Sequence, residues 1–311
     1  MSTSERPPSK SDFLREPSVI QFIPWIQALV SGEKKFQHQY LHRKLKRELR
    51  FDSLEAAARS YYFSVTQNLR ITLGIPNPSK DDFEGNQSVL NCLRMKIRTA
   101  LDNNDSSALE VAAAQILQWG GVQRGNTEHI LRISQNCTGG LHQYLSATQQ
   151  LIDNPAFERP DYQRISVDRE SSLSGFFRSN AGFTKIYHLC FDSFVIYDSR
   201  VAAAIALMAL RFSKEYNFNE IPYPLRFCIP PRRATVNRDP SSGKYSFPAS
   251  NGRDQSHFAS NLRCNWILSS ALGVNSQHRD QRMRFMHEDP QLDLRYLEAA
   301  LFMIGYEVSG S

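Results

Sequence analysis

No stretch of about 18 apolar residues occurs in this chain, so a membrane-spanning helix is not expected. The most apolar run, Val201 to Leu210, is too short and begins directly after Asp198-Ser199-Arg200. The N-terminus, MSTSERPPSKSDF, lacks the apolar centre of a secretory signal. Residues 1–16 are expected to form a disordered leader. Cysteine is sparse: Cys92, Cys137, Cys190, Cys228 and Cys264 are odd in number and far apart, with no CxxC pair. That excludes zinc ribbons and redox dithiols, and no cluster supplies the four ligands of an iron–sulfur centre. Reduced thiols in a cytoplasmic protein are the simplest reading. Neither a metal nor a cofactor is expected. Internal repeats are absent, and low complexity is confined to the leader.

Charge is present in excess of one sign. The 311 residues carry a net charge of +6, a mild bias toward polyanionic partners. Its distribution is more informative. Glu33 to Arg50 holds Lys34, Lys35, Arg43, Lys44, Lys46, Arg47 and Arg50 against two glutamates. Arg226 to Arg263 holds Arg226, Arg232, Arg233, Arg238, Lys244, Arg253 and Arg263 against Asp239 and Asp254. Each block reads either as a set of phosphate contacts or as a solvated surface.

Apolar periodicity predicts a mainly α protein. Helices are expected over 18–30 (interrupted by Pro24), 53–73, 87–101, 107–119, 128–134, 140–152, 171–179, 186–191, 257–272 and 292–306, with a long one from Ser199 onward. Ser106 or Ser107 is the expected cap of the helix that stops at Gly120-Gly121. The proline-rich stretch 217–256 reads as an ordered irregular excursion with one small β-hairpin near 225–250. The domain reading is a leader (1–16), an N-terminal helical region (17–155) and a second helical region (156–311), as two lobes or one unit. A monomer is expected.

Asn180 to Leu210 is where chemistry concentrates. Gly182 suits a tight hairpin between two helices. Asp198 opens a long helix, where it can serve as N-cap and where the helix field keeps a carboxylate ionised. Arg200 is placed to pair with Asp198 or a phosphate. Trp119 and Trp266 read by default as core aromatics. Asn261 and Asn265 share a helix face, while Arg263 points elsewhere. His257 reads as a packed histidine.

Two segments carry a resemblance. Ala181-Gly182-Phe183-Thr184-Lys185-Ile186 looks like the G-x-G-T-K-V hairpin of helix-hairpin-helix DNA glycosylases, and Val195-Ile196-Tyr197-Asp198-Ser199-Arg200-Val201 looks like their V-P-V-D-x-H-V motif. Trp119-Gly-Gly-Val, Asn237-Arg-Asp-Pro, Asn261-Leu-Arg-Cys-Asn-Trp and Ala299 to Tyr306 extend the likeness to a bacterial 8-oxoguanine-glycosylase-like branch. The hairpin glycine positions hold Ala181 and Phe183, Arg200 stands where His is common, and Lys185 lies closer to Asp198 than in the family.

The resemblance implies a helix-hairpin-helix glycosylase-like fold over 156–311 and a hydrolase that releases a damaged or modified base flipped out of DNA, in repair or in defence against phage. It implies Asp198 as the catalytic carboxylate, stabilising positive charge on the sugar, with water as the expected nucleophile. Lys185, if it reaches the pocket, adds abasic-site lyase activity. Gly182, Thr184, Arg200, Arg232, Arg233 and Arg238 become DNA contacts, the hairpin amides holding a phosphate. Trp119, Tyr187, Tyr197, Asn261, Asn265 and Trp266 become the base pocket. The rival is a DNA-binding or partner-binding module on the same fold without the chemistry; a third reading makes the pattern coincidental.

Overall fold

Capping side chains set many of the helix boundaries. In the computed structural model, which describes residues 8–75, 80–158, 162–229, 236–250, 252–273, 287 and 289–308, α1 (Lys10–Leu14) is closed by a reciprocal Ser9–Asp12 capping box. Next come α2 (Pro17–Ser31) and an antiparallel hairpin of β1 (His38–His42) and β2 (Arg47–Phe51). The chain continues through α3 (Leu54–Arg59), α4 (Gln67–Thr72), α5 (Phe83–Asp102) and α6 (Ser106–Gly120). Asp105, rather than either serine, caps α6, by accepting from Ala108 N. Then follow α7 (Asn126–Asn136), α8 (Gly140–Asp153), α9 (Phe183–Cys190), α10 (Ser199–Glu215), α11 (Asp254–Ala271) and α12 (Pro290–Ile304). The protein is therefore mainly helical, with a small two-stranded antiparallel sheet. No described helix is long and apolar enough to cross a membrane.

The apolar run Val201 to Leu210 is buried on every side, which makes α10 the centre of the molecule. Helix α12 packs along it, and α2 covers its far end, where Phe22 meets Phe212 at 5.1 Å between ring centroids. The Trp25 indole donates to Glu215 at 2.9 Å in the same place. On the other side α3 lies on α12, and α9 packs against the paired helices α5 and α6. Regions 17–155 and 156–311 thus contribute to one continuous hydrophobic core.

Several expectations change. Residues 8–16 of the expected leader are structured, and Phe13 is buried against Tyr162 and Trp266. Pro24 does not interrupt α2; it stands on the solvent side, where the lost backbone hydrogen bond is harmless. The helix expected over 53–73 breaks after Arg59. Asn86 Nδ2 donates to the Phe63 carbonyl at 2.8 Å and Phe63 N to Asp81 O at 3.0 Å, holding residues 61–65 extended. No helix forms over 171–179, where Gly175 turns the chain with φ +74°. The segment before Asn180 is a run of turns, so only the second helix of the expected helix-hairpin-helix unit is present. In the described part of 225–250 the expected hairpin is reduced to one two-residue turn, closed by reciprocal backbone hydrogen bonds between Ser242 and Tyr245, and Ile229 separately bridges Ala249. The one ladder among the described residues lies at 38–51, inside a block that had read only as basic.

Candidate active site

Asp198 is fixed from three directions before any ligand is considered. The segment Phe194 to Tyr197 runs extended between α11 and α12, and its backbone is clamped by side chains. Asn265 Oδ1 accepts from Val195 N at 2.6 Å, and Asn261 Nδ2 donates to Val195 O at 3.1 Å. Glu298 Oε2 accepts from Ile196 N at 2.8 Å. The Tyr197 hydroxyl donates to the Cys228 carbonyl at 2.9 Å. Asp198 then caps α10, Oδ1 accepting from Arg200 N at 2.8 Å and Val201 N at 3.0 Å. Burial alone would raise its pKa. The charges of Lys185 and Arg200 and the two amides outweigh burial and hold the carboxyl below its usual value.

Lys185 reaches the same place. It projects from the first turn of α9, is buried, and donates from Nζ to Ala181 O at 2.8 Å. Burial pushes its pKa down, against the opposing pull of Asp198 and Glu298. Its stem lies against Gly120: a Cβ there would fall 2.4 Å from Lys185 Cδ and 2.6 Å from Cε. Gly120→Ala should therefore displace the lysine while leaving α6 helical. The expected result is an unchanged far-ultraviolet spectrum with a Lys185 amine more reactive to acylating reagents; equal reactivity would refute the packing role.

A cavity of about 220 Å³ joins these groups. Phe63, Trp119 and Phe302 form its aromatic walls, with Phe63 5.1 Å from Trp119 and 5.8 Å from Phe302 between centroids. Arg200 lies over Phe302 at 4.1 Å and over Tyr306 at 4.9 Å. Arg238 also lines the cavity; it donates to Ser199 Oγ. Arg295 and Glu298 line it from α12, paired at 3.1 Å, and Arg295 donates to the Tyr61 hydroxyl at 3.1 Å. Burial raises the Glu298 pKa, with Arg295 pulling the other way.

A second cavity, about 250 Å³, opens on the other side of Asp198. Tyr197, His257, Ser179 and Asp254 are among its lining residues. Burial pushes His257 down to about 4, so its ring is neutral at ordinary pH. It accepts from or donates to Ser179 Oγ at 2.8 Å.

The structure separates the residues singled out from sequence. Lys185, Asp198, Arg200, Arg238 and Trp119 meet at the first cavity, and Tyr197 lines the second. Tyr187 does not reach a pocket: it is fully buried, its hydroxyl bonded to Tyr144 Oη at 2.7 Å and to Arg178 O at 2.6 Å. Trp266 is a core ring between Phe13 and Phe157. Asn261 and Asn265 are buried clamps on Val195 rather than pocket groups.

Gly182 has an ordinary right-handed φ of −79°, and what it supplies is space: a Cβ would lie 2.3 Å from Asn126 Nδ2. The Asn180 side chain accepts from Gly182 N at 2.8 Å and Phe183 N at 3.0 Å. Those amides are therefore engaged internally, and Thr184 is fully buried, so the hairpin does not present them to a phosphate. Arg232 and Arg233 lie outside the described residues. Sequence reasoning missed Phe63, Phe302, Arg295 and Glu298. The one signal for the last two was a cation and an anion three residues apart in the otherwise apolar run of α12. Comparison of the chain with protein-family models, with curated proteins and with solved structures finds no match.

Proposed function

We propose that this protein is a DNA N-glycosylase, its site built on α9 and the start of α10 without the first helix of a helix-hairpin-helix unit, releasing a damaged or modified base in repair or in defence against phage. One observation carries the reading: Asp198 and Lys185 line a single aromatic-walled cavity, the acid held ionised and the amine pushed toward neutrality. Breaking the C1′–N bond leaves positive charge on the sugar, and an ionised carboxylate fixed beside it lowers that barrier. A lysine whose pKa burial lowers can, once it has lost its proton, add to C1′ and form a Schiff base as the base departs. Water at C1′ is the other nucleophile. Trp119, Phe63 and Phe302 supply the surface on which an extruded base stacks. The shorter spacer between Lys185 and Asp198 does not separate them, because α9 ends at Cys190 and the clamped segment returns the chain directly to the cavity.

The test is to incubate the protein with duplexes carrying damaged bases or modified cytosines and to look for abasic sites. With a substrate so found, borohydride should trap a covalent protein–DNA adduct that Lys185→Ala abolishes. Base release without an adduct would assign the attack to water and leave Lys185 an electrostatic partner of Asp198. DNA binding with no abasic product from any substrate would favour a binding module.

A further inference from the structure

We propose that the β1–β2 hairpin is a cationic arm that holds backbone phosphates of duplex DNA beside the mouth of the Lys185–Asp198 cavity; the choice of DNA as partner rests on the glycosylase reading. The hairpin's two faces do different things. Its inner face, His38, Tyr40 and His42, is seated on the C-terminal end of α12. His38 Nε2 lies 3.0 Å from the carbonyl oxygens of both Ile304 and Glu307, and the Tyr40 hydroxyl donates to Met303 O at 2.6 Å. These bonds satisfy helix-end carbonyls and anchor the arm rigidly.

The tip is built differently. Arg43, Lys44, Lys46 and Arg47 are all exposed, and none forms an ion pair with an acid among the described residues. The turn itself is defined: Leu45 N donates to His42 Nδ1 at 3.2 Å, and Lys46 takes a left-handed φ of 51°. Four like charges on one short turn repel one another, and nothing in the packing requires them. Their position gives them a use. The His42 ring stacks on Tyr306 at 4.1 Å, and Arg200 lies over the same Tyr306 ring and over Phe302 of the cavity wall. Lys44, Arg47 and Arg200 all act electrostatically on His42. Basic charge therefore continues from the tip to the cavity mouth. Leu41 is the one large apolar side chain exposed on the hairpin, at 59%, too little for insertion into a lipid surface.

Phosphate contacts release counterions, so each lost contact flattens the dependence of log K on log salt by about 0.9 for duplex DNA. The experiment compares the full chain with a quadruple variant, Arg43→Ser, Lys44→Ser, Lys46→Asn and Arg47→Thr, binding an undamaged labelled duplex of about 20 base pairs between about 50 and about 200 mM salt. Asn tolerates the left-handed position and Thr the strand. The slope should flatten by about 3.6, and the unmodified chain should lose about 10²-fold more affinity over that range than the variant. Should the quadruple variant unfold early, Lys44→Gln with Arg47→Gln should give about half the change in slope. An unchanged slope, or no duplex binding by the unmodified chain, overturns the arm. So does a variant that loses phosphatidylserine vesicle binding while its DNA slope stays the same. The readout needs no chemistry. A flattened slope with no base release from any substrate would keep the arm and remove the glycosylase; base release with an unchanged slope would do the reverse.

Discussion

Asp198→Asn should abolish base release while the folded protein and its affinity for DNA persist. Asn is as good an N-cap as Asp, so Arg200 N and Val201 N keep an acceptor and α10 keeps its start. On the proposed glycosylase reading, what disappears is the negative charge that would stand beside C1′. Removing a single preorganised electrostatic group from an active site typically lowers turnover by about 10²–10³-fold, and a full charge at the reacting centre should reach at least the top of that range. The measurement is single-turnover release from saturating enzyme, with thermal unfolding and duplex binding as controls. Unimpaired release by the variant would remove Asp198 from the mechanism.

The second large effect is on stability. Glu298→Ala should destabilise the protein by about 3–5 kcal/mol, because it strands a buried guanidinium as well as removing a side chain. Arg295 and Glu298 are both about 4% exposed and pair at 3.1 Å. The same carboxylate accepts from Ile196 N, which the alanine variant leaves without its partner. Glu298→Gln keeps an acceptor for Ile196 N and should recover part of the loss, at the expense of the charge facing Arg295. Denaturant unfolding midpoints for the two variants give the comparison. Equal, small shifts would mean that water reaches Arg295 and that the pair is not structurally isolated.

What sequence reveals here follows the range of the interactions. Helix α10 and its cap were legible because Asp198-Ser199-Arg200 and the apolar run behind it are adjacent in the chain. Trp119 and Lys185 were legible only through their motifs, and the cavity that unites them is lined by side chains from α6, α9, α10 and α12. The hairpin was hidden because its inward residues include His38 and His42, polar side chains buried against helix-end carbonyls and Tyr306. Helix α11 misled for a related reason. Asn261 and Asn265, which share a face, read as base-pocket groups and Arg263 as pointing elsewhere, yet all three are buried. The two asparagines serve the backbone of a distant segment, and Arg263 donates to the carbonyls of Pro224 and Arg226. A buried polar residue looks like a surface residue until its partner is known. The helix expected over 171–179 failed locally, at Gly175.

The clamps on Val195 and Ile196 also bear on when the site comes into being. Asn265 and Glu298 lie 70 and 102 residues further along the chain than the amides they hold. Closing loops of that length is entropically expensive and is repaid only when the helices that carry the clamps have docked. During synthesis, α10 can fold around its own cap as soon as it emerges, but the segment that aims Asp198 stays untethered until α11 and then α12 arrive. A nascent or partly unfolded chain would thus own the acid without its aim, and competence for chemistry would report that the whole core has closed.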